Sequence, residues 1–208
     1  MHMGFKDWFF ISPYVISVLI LFSILVVTYF LERMWVFRRE GKFPRRLWNR
    51  MTELVRERRA RDAMALCDET RGVFAKAFKA CIQGAAASRA DAEDNMLIEK
   101  EDGQEFLRKR VGLFGTISFI APLIGLLGTV LGVLRAFKDL ALSGSGGPTI
   151  VAAGISEALV TTVAGLCVAI PSAIIYNYFN FRLRAVLVDM NSYGQRLLMM
   201  LYEDRSER

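Results

Sequence analysis

The chain has 208 residues, of which 53% are hydrophobic, and its formal net charge at pH 7 is +6. A mean hydropathy of +0.31 is too high for an ordinary soluble domain of this length. Its basic residues are interleaved with acidic ones, which argues against a nucleic-acid-binding patch. Three cysteines and a single histidine fit no zinc spacing, so we expect no metal site and no cofactor.

The N-terminal part of the chain is predicted to enter and cross a membrane. Residues 1–13 form a short amphipathic segment on the outer side, with aromatic residues that suit the interface. Trp8 to Leu31 carries no charge over 24 residues, and about 20 apolar residues span a bilayer. Basic residues follow this run, whereas they precede the apolar core of a secretory signal. We therefore predict a retained transmembrane helix over residues 14–34.

Residues 35–110 are predicted to form a cytoplasmic helical region. Apolar residues such as Leu47, Met51 and Val55 recur at the spacing of amphipathic helices. Gly72 and Gly84 are the expected breaks. A highly charged helix follows from residue 89 to residue 110, and its direct continuation into the second membrane segment is one possibility.

Two further membrane helices are predicted over residues 111–137 and 150–181. They are joined by an outer loop, 138–149, which contains a Ser-Gly-Ser-Gly-Gly-Pro run. The third helix would be roughly 48 Å long at about 1.5 Å per residue. A hydrocarbon core is only about 30 Å thick, so the long second and third helices are expected to extend into the cytoplasm. Residues 182–208 form a cytoplasmic C-terminal helix or tail.

The distribution of Lys and Arg predicts the orientation of these helices. Residues 32–110 hold 19 of these residues, and the opposite face carries very few. Basic loops stay on the cytoplasmic side. The predicted fold is therefore an all-α integral membrane protein with three transmembrane helices, its N-terminus outside and its C-terminus inside, and a helical cytoplasmic insertion.

Glu157 is the only charged residue in the 42-residue stretch from Leu140 to Phe181. A carboxyl group in hydrocarbon costs about 2.5–3.5 kcal/mol on insertion scales, so such residues commonly face a bundle interior or a water-filled path. One interpretation is an ion-conducting role. The other is a structural membrane scaffold in which Glu157 is protonated and only holds helices together.

Small residues line both of the later helices, which lets helix backbones approach closely in a membrane. On the second helix they are Gly125, Gly128 and Gly132; on the third they are Gly154, Ala158, Thr161, Gly165, Ala169 and Ser172. We interpret them as helix-packing residues. Pro122 and Pro171 lie within these helices and are predicted to kink them.

Two further polar residues accompany the acid. Glu157 lies about 60° to one side of the small-residue stripe and Thr162 about 80° to the other, at 100° per residue. Thr129 is the polar residue deepest in the outer half of the second helix. Hydroxyls in membrane helices commonly bond a carbonyl of their own helix. That role stays open for each threonine beside a role in a polar path.

Two sequence segments resemble the signatures of the MotA/TolQ/ExbB proton-channel family, and most closely its ExbB and TolQ branch. They are residues 121–133 (APLIGLLGTVLGV) and 154–166 (GISEALVTTVAGL), the latter followed by Ala169-Ile170-Pro171 and Tyr176-Asn177. The resemblance is strong over residues 111–181 and only topological elsewhere. It does not distinguish outer-membrane uptake, envelope constriction and surface motility as the work performed.

The resemblance implies a subunit of a bacterial inner-membrane motor. Five copies would surround the membrane helix of a small ExbD- or TolR-like partner whose intramembrane aspartate binds and releases protons, and a TonB- or TolA-like protein is a further partner. Glu157 matches the family's third-helix glutamate near the proton path. Thr129 and Thr162 match its lumen-facing threonines, with Thr161 a weaker candidate. Protons are then the coupling ion, and no enzyme activity is expected.

Overall fold

The computed structural model describes residues 13–143 and 148–206, and every regular element in these two ranges is an α-helix. The predicted outer segment, apart from Pro13, and residues 144–147 of the predicted outer loop lie outside the described residues. In chain order the helices are α1 (Pro13–Glu40), α2 (Arg45–Arg56), α3 (Ala60–Glu69), α4 (Val73–Gly84), α5 (Arg89–Arg108), α6 (Val111–Ser143) and α7 (Pro148–Ser206).

Three of these helices, α1, α6 and α7, contain a segment that is long and apolar enough to cross a membrane. This confirms the prediction of an all-helical protein with three candidate membrane spans. The third span belongs to a helix of 59 residues. The region from residue 182 onward therefore continues α7 as far as Ser206.

The chain divides into two compact units. The first, here called the membrane unit, comprises Met1–Leu31 and Arg110–Tyr178. The second, here called the polar unit, comprises Glu32–Lys109 and Phe179–Arg208. Each unit has its own packed interior, so each is described by itself.

The core of the polar unit is aromatic. α2 buries Leu47, Met51 and Val55, which share one face because they are spaced by four residues. The unit also contains a cluster of five aromatic rings: Phe43, Trp48, Phe74, Phe78 and Tyr193. The Tyr193 ring of α7 stacks on Phe43 with centroids 4.0 Å apart and meets Trp48 of α2 edge-on at 4.8 Å, so α7 is tied to a short helix by direct ring contact.

Two backbone features set the connections between the short helices. Gly72 precedes α4 with φ +124°, and a Cβ there would lie 3.1 Å from the carbonyl oxygen of Glu40. A residue with a side chain is strained in this conformation, so the glycine is needed for the turn. Arg58, at φ 61°, separates α2 from α3. No glycine or proline in the sequence predicts this break.

α5 does not continue directly into α6, which settles the possibility left open by the sequence. The helix ends at Arg108, Lys109 leaves the helical conformation with φ −48° and ψ 131°, and Arg110 has φ 64°. Arg33, only 4% exposed, donates hydrogen bonds to the carbonyl oxygens of Phe106 (3.4 Å) and Lys109 (3.1 Å). These terminal carbonyls have no partner within a helix, and a cation is favourable at a helix C-terminus. The guanidinium therefore stabilises the end of α5.

Burial raises the pKa of the Cys67 and Cys81 thiols to about 12 from the ordinary value of 9.0. The charge of Asp68 raises the pKa of Cys67 further, while Lys79 opposes it; Glu93 adds to the shift at Cys81. Both thiols are therefore neutral in the folded polar unit and inert toward reagents that need a thiolate.

The first prediction concerns stability at alkaline pH. Unfolded thiols ionise near pH 9.0 and the folded ones near about 12, so their stabilising contribution is complete below 9.0 and is lost as the pH rises through about 12. Denaturation of the polar unit at increasing pH should show this loss, and a C67A/C81A variant should show less of it. At neutral pH, both thiols should react about 1,000-fold more slowly than in the unfolded chain. Equal labelling rates of these thiols in the folded and the unfolded chain would contradict the prediction.

Candidate functional site

The candidate site lies in the membrane unit, where α6 and α7 touch through glycines. A Cβ added at Gly125 would lie 2.8 Å from the carbonyl oxygen of Thr161, and one at Gly165 would lie 2.6 Å from that of Ala121. At Gly132 the added atom would be 2.6 Å from the Cβ of Ala158. Any larger side chain at these positions would therefore push the two helices apart.

Further small residues lie along the same contact. An added Cβ at Gly128 would collide with the side chain of Thr161, and one at Gly154 with the Cβ of Ala136. Ala158 and Ala169 are buried. The structure thus places most of the small residues of both predicted stripes on a single interface between α6 and α7, namely Gly125, Gly128, Gly132, Gly154, Ala158, Thr161 and Gly165.

Both intramembrane prolines are accommodated within continuous helices. α6 runs through Pro122 and α7 runs through Pro171. A proline leaves the carbonyl four residues earlier without its usual partner. The neighbouring hydroxyls bond other carbonyl oxygens: Ser118 donates to that of Gly115 at 2.8 Å, and the buried Ser172 donates to that of Val168 at 2.7 Å.

Thr161 connects the two helices. Its side chain is fully buried, and its hydroxyl lies within donor distance of two carbonyl oxygens: Gly125 on α6 at 3.0 Å and Ala158 on its own helix at 2.7 Å. A threonine enclosed in this way does not line an open path within one chain. Its geometry is that of a packing residue, in agreement with its place in the small-residue stripe.

The other two threonines differ from each other. Thr129 follows Gly128 and donates to the carbonyl oxygen of Leu126 on its own helix at 2.6 Å. The Oγ1 atom of Thr162 is buried and has no hydrogen-bond partner among the described residues. An unsatisfied buried hydroxyl costs about 1–3 kcal/mol. Such a group is therefore a candidate for a contact with water or with another chain.

Glu157 lies in α7, directly before the buried Ala158, while its side chain falls outside the described part of the chain. Ala158 packs against Gly132, so the backbone at position 157 is next to the α6–α7 contact. Thr162 is also next to it, since a Cβ added at Gly125 would lie 3.0 Å from the Cα of Thr162. The polar residues singled out in the sequence therefore border one helix interface.

These features define an integral membrane protein whose second and third apolar helices pack closely and carry polar groups beside their contact. The family model of the MotA/TolQ/ExbB proton channel family matches residues 68–192. The chain belongs to this family, and its named relatives support the ExbB and TolQ branch.

The share of each relative that the chain covers differs. It is 32% identical over 194 residues to the putative biopolymer transport protein ExbB-like 3 of Synechocystis sp., covering 89% of this chain and 90% of that protein. It is 30% identical over 160 residues to the biopolymer transport protein ExbB of Salmonella typhimurium, covering 70% of this chain and 65% of the relative. For the Tol-Pal system protein TolQ of Haemophilus influenzae the identity is 39% over 100 residues, covering 47% and 43%.

The second prediction separates the two kinds of threonine. Replacing Thr161 by Val keeps the shape of the side chain but removes the hydrogen bond to α6. The free energy of unfolding in detergent should therefore fall by about 0.6–1.7 kcal/mol. Thr129→Val is the matched control. Its hydroxyl bonds only its own helix, and its loss should change stability by less than about 0.5 kcal/mol. Equal losses in the two variants would show that Thr161 does not hold the helices together.

Proposed function

We propose that this chain is the proton-channel subunit of a motor in the bacterial inner membrane. With a small ExbD- or TolR-like partner, it would convert proton-motive force into work on the cell envelope, either energised transport or envelope maintenance. The proposal includes a ring of five copies and a TonB- or TolA-like protein that receives the work. Protons are the coupling ion, and neither a cofactor nor a chemical reaction is involved.

The observation that best supports this proposal is that two polar residues lie beside the α6–α7 contact. Glu157 is the lone acid of a long uncharged stretch, and the buried Thr162 hydroxyl has no partner in the described chain. Both border a contact that glycines make unusually close. A structural scaffold needs the glycines but gains nothing from an unsatisfied hydroxyl, which favours a polar path over packing alone.

The proposed orientation follows from the charges. With the N-terminus outside, residues 32–110 and the end of α7 lie in the cytoplasm and residues 138–149 lie outside, which places the basic residues on the cytoplasmic side. The second and third helices then carry the path between the two faces.

The energetics require a second component. A proton that crosses roughly 150 mV releases about 3.5 kcal/mol, and this can perform work only through a coupled conformational change. The apolar stretch of α7 supplies a single acid, with no base beside it. A partner helix with its own titratable carboxyl group completes the cycle. Glu157 and Thr162 then tune and line the path, while the partner's aspartate carries the proton.

The third prediction tests Glu157. Replacing Glu157 with Gln preserves its size but removes its ionisable carboxyl group. Proton flux into liposomes containing the complex should fall about tenfold or more, since barriers rise steeply when a charge-stabilising group is lost. A small partner with one membrane helix and an intramembrane aspartate should still co-purify.

The matched control is Asp139→Asn, which removes an exposed carboxylate near the end of α6 and should leave the flux unchanged. If E157Q conducts protons normally while the ring and partner assemble, Glu157 is a packing residue and the scaffold interpretation holds.

The fourth prediction tests Thr162. Thr162→Val replaces an unsatisfied hydroxyl by a methyl group, so the protein should be as stable as before or slightly more stable. Proton flux should nevertheless decrease several-fold, because a polar contact of the path is removed. A stable variant with unchanged flux would remove Thr162 from the path without affecting the role of Glu157.

A further inference from the structure

The polar unit exposes two ridges of opposite character on α5 and α7. The acidic ridge is formed by five exposed residues of α5: Asp94, Leu97, Ile98, Glu101 and Glu105. The basic ridge is formed by five exposed residues of α7: Phe181, Arg184, Val188, Arg196 and Met199. Each ridge combines apolar side chains with charges of mainly one sign.

The apolar members are large and well exposed. Ile98 is 56% exposed, Val188 65% and Phe181 71%. In a unit that already has an aromatic core, side chains of this size arranged along a helix face indicate a contact with another molecule. The acidic ridge has the i, i+3, i+4, i+7 spacing of such a contact face, and the members of the basic ridge fall within about 120° of one another at 100° per residue.

The two ridges of one chain cannot meet each other. α5 and α7 touch through Met96 and Gly194, and Lys100 donates to the side-chain oxygen of Asn191 at 2.8 Å. Ile98 lies about 200° around α5 from Met96, and Val188 lies about 120° around α7 from Gly194, at 100° per residue. Both ridges therefore point away from the contact between the two helices.

Their charges are complementary. α5 carries seven acidic and three basic residues, while α7 between Phe181 and Tyr202 carries three arginines and one aspartate. An anionic lipid surface would repel the acidic ridge. A second copy of this chain offers each ridge the opposite charge together with an apolar strip, which is the combination that steers and fixes a protein interface.

We propose that the acidic ridge of one copy docks on the basic ridge of the next. Such a contact uses two different surfaces, so it propagates in one direction and closes into a ring when the rotation permits. The proposal rests on the ring assembly contained in the proposed function and assigns the residues that join neighbours outside the membrane unit. It concerns assembly, not the proton path.

Cysteine cross-linking in native membranes tests the contact. Ile98→Cys and Val188→Cys are introduced separately into a chain with C167S, in which Cys67 and Cys81 remain buried. Mixed expression of the two single variants, followed by oxidation, should give disulfide-linked dimers, while each variant alone should give none. Both substitutions on one chain should give a ladder of multimers. The control pair, I98C with R61C on α3, should not cross-link.

Two results would overturn the inference. Dimers formed by one variant alone would show that like ridges pair, and absence of the mixed dimer would show that the ridges do not meet. Native mass spectrometry of the same preparation separates the possible failures. A multimer without the cross-link rejects only this interface, whereas a monomer also rejects the ring in the proposed function. Binding of a different protein to either ridge would likewise appear as absence of the mixed dimer.

The charges provide an independent readout. A D94K/E101K change in the chain bearing I98C should lower the mixed cross-link about tenfold, because like charges then face each other. An R184E/R196E change in the chain bearing V188C should restore it. Glu69→Lys, a charge reversal of the same sign at an exposed residue of α3, is the control and should have no effect. A yield that is insensitive to the ridge charges would contradict the proposed pairing.

Discussion

The close approach of α6 and α7 is the constraint on which the membrane unit depends. In a membrane, helices gain little from the hydrophobic effect, and van der Waals packing and interhelical hydrogen bonds must hold them together. Gly125 and Gly165 bring backbone against backbone, and the Thr161 hydroxyl reaches across to a carbonyl of α6. Because the two helices are so close, a residue next in sequence to a contact residue also lies beside the partner helix.

This geometry gives adjacent threonines different chemistry. Thr161 faces the partner helix and is satisfied by carbonyl oxygens, whereas the neighbouring Thr162 is turned by about 100° and its buried hydroxyl has no partner in the described chain. Polar groups of the second kind suit a path for protons, because they can bond water or a partner chain without breaking the fold. The proposed path and the packing contact are therefore built from consecutive residues.

The polar unit is stabilised in a different way, by the burial of its interior side chains. Stacked aromatic rings and two desolvated thiols form its interior, and Arg33 stabilises the end of α5. The charge left on the outside is unevenly divided between α5 and α7. That division is the physical basis for the proposed association of copies, because it makes two different surfaces of one chain complementary.

Much of the membrane unit could be predicted from the sequence, because apolar length, small-residue spacing and a lone acid are local properties. Runs of uncharged residues identify the three spans, and helical periodicity places the glycines of α6 and α7 on one stripe each. The family signatures at residues 121–133 and 154–166 needed no folded structure. The tertiary structure decided how the stripes meet, that Thr161 bonds across the interface, and that α5 stops at Arg108 under the influence of an arginine more than seventy residues earlier. It also decided which faces of α5 and α7 remain exposed. These outcomes depend on contacts between residues distant in sequence, and periodicity within one helix does not specify its partner.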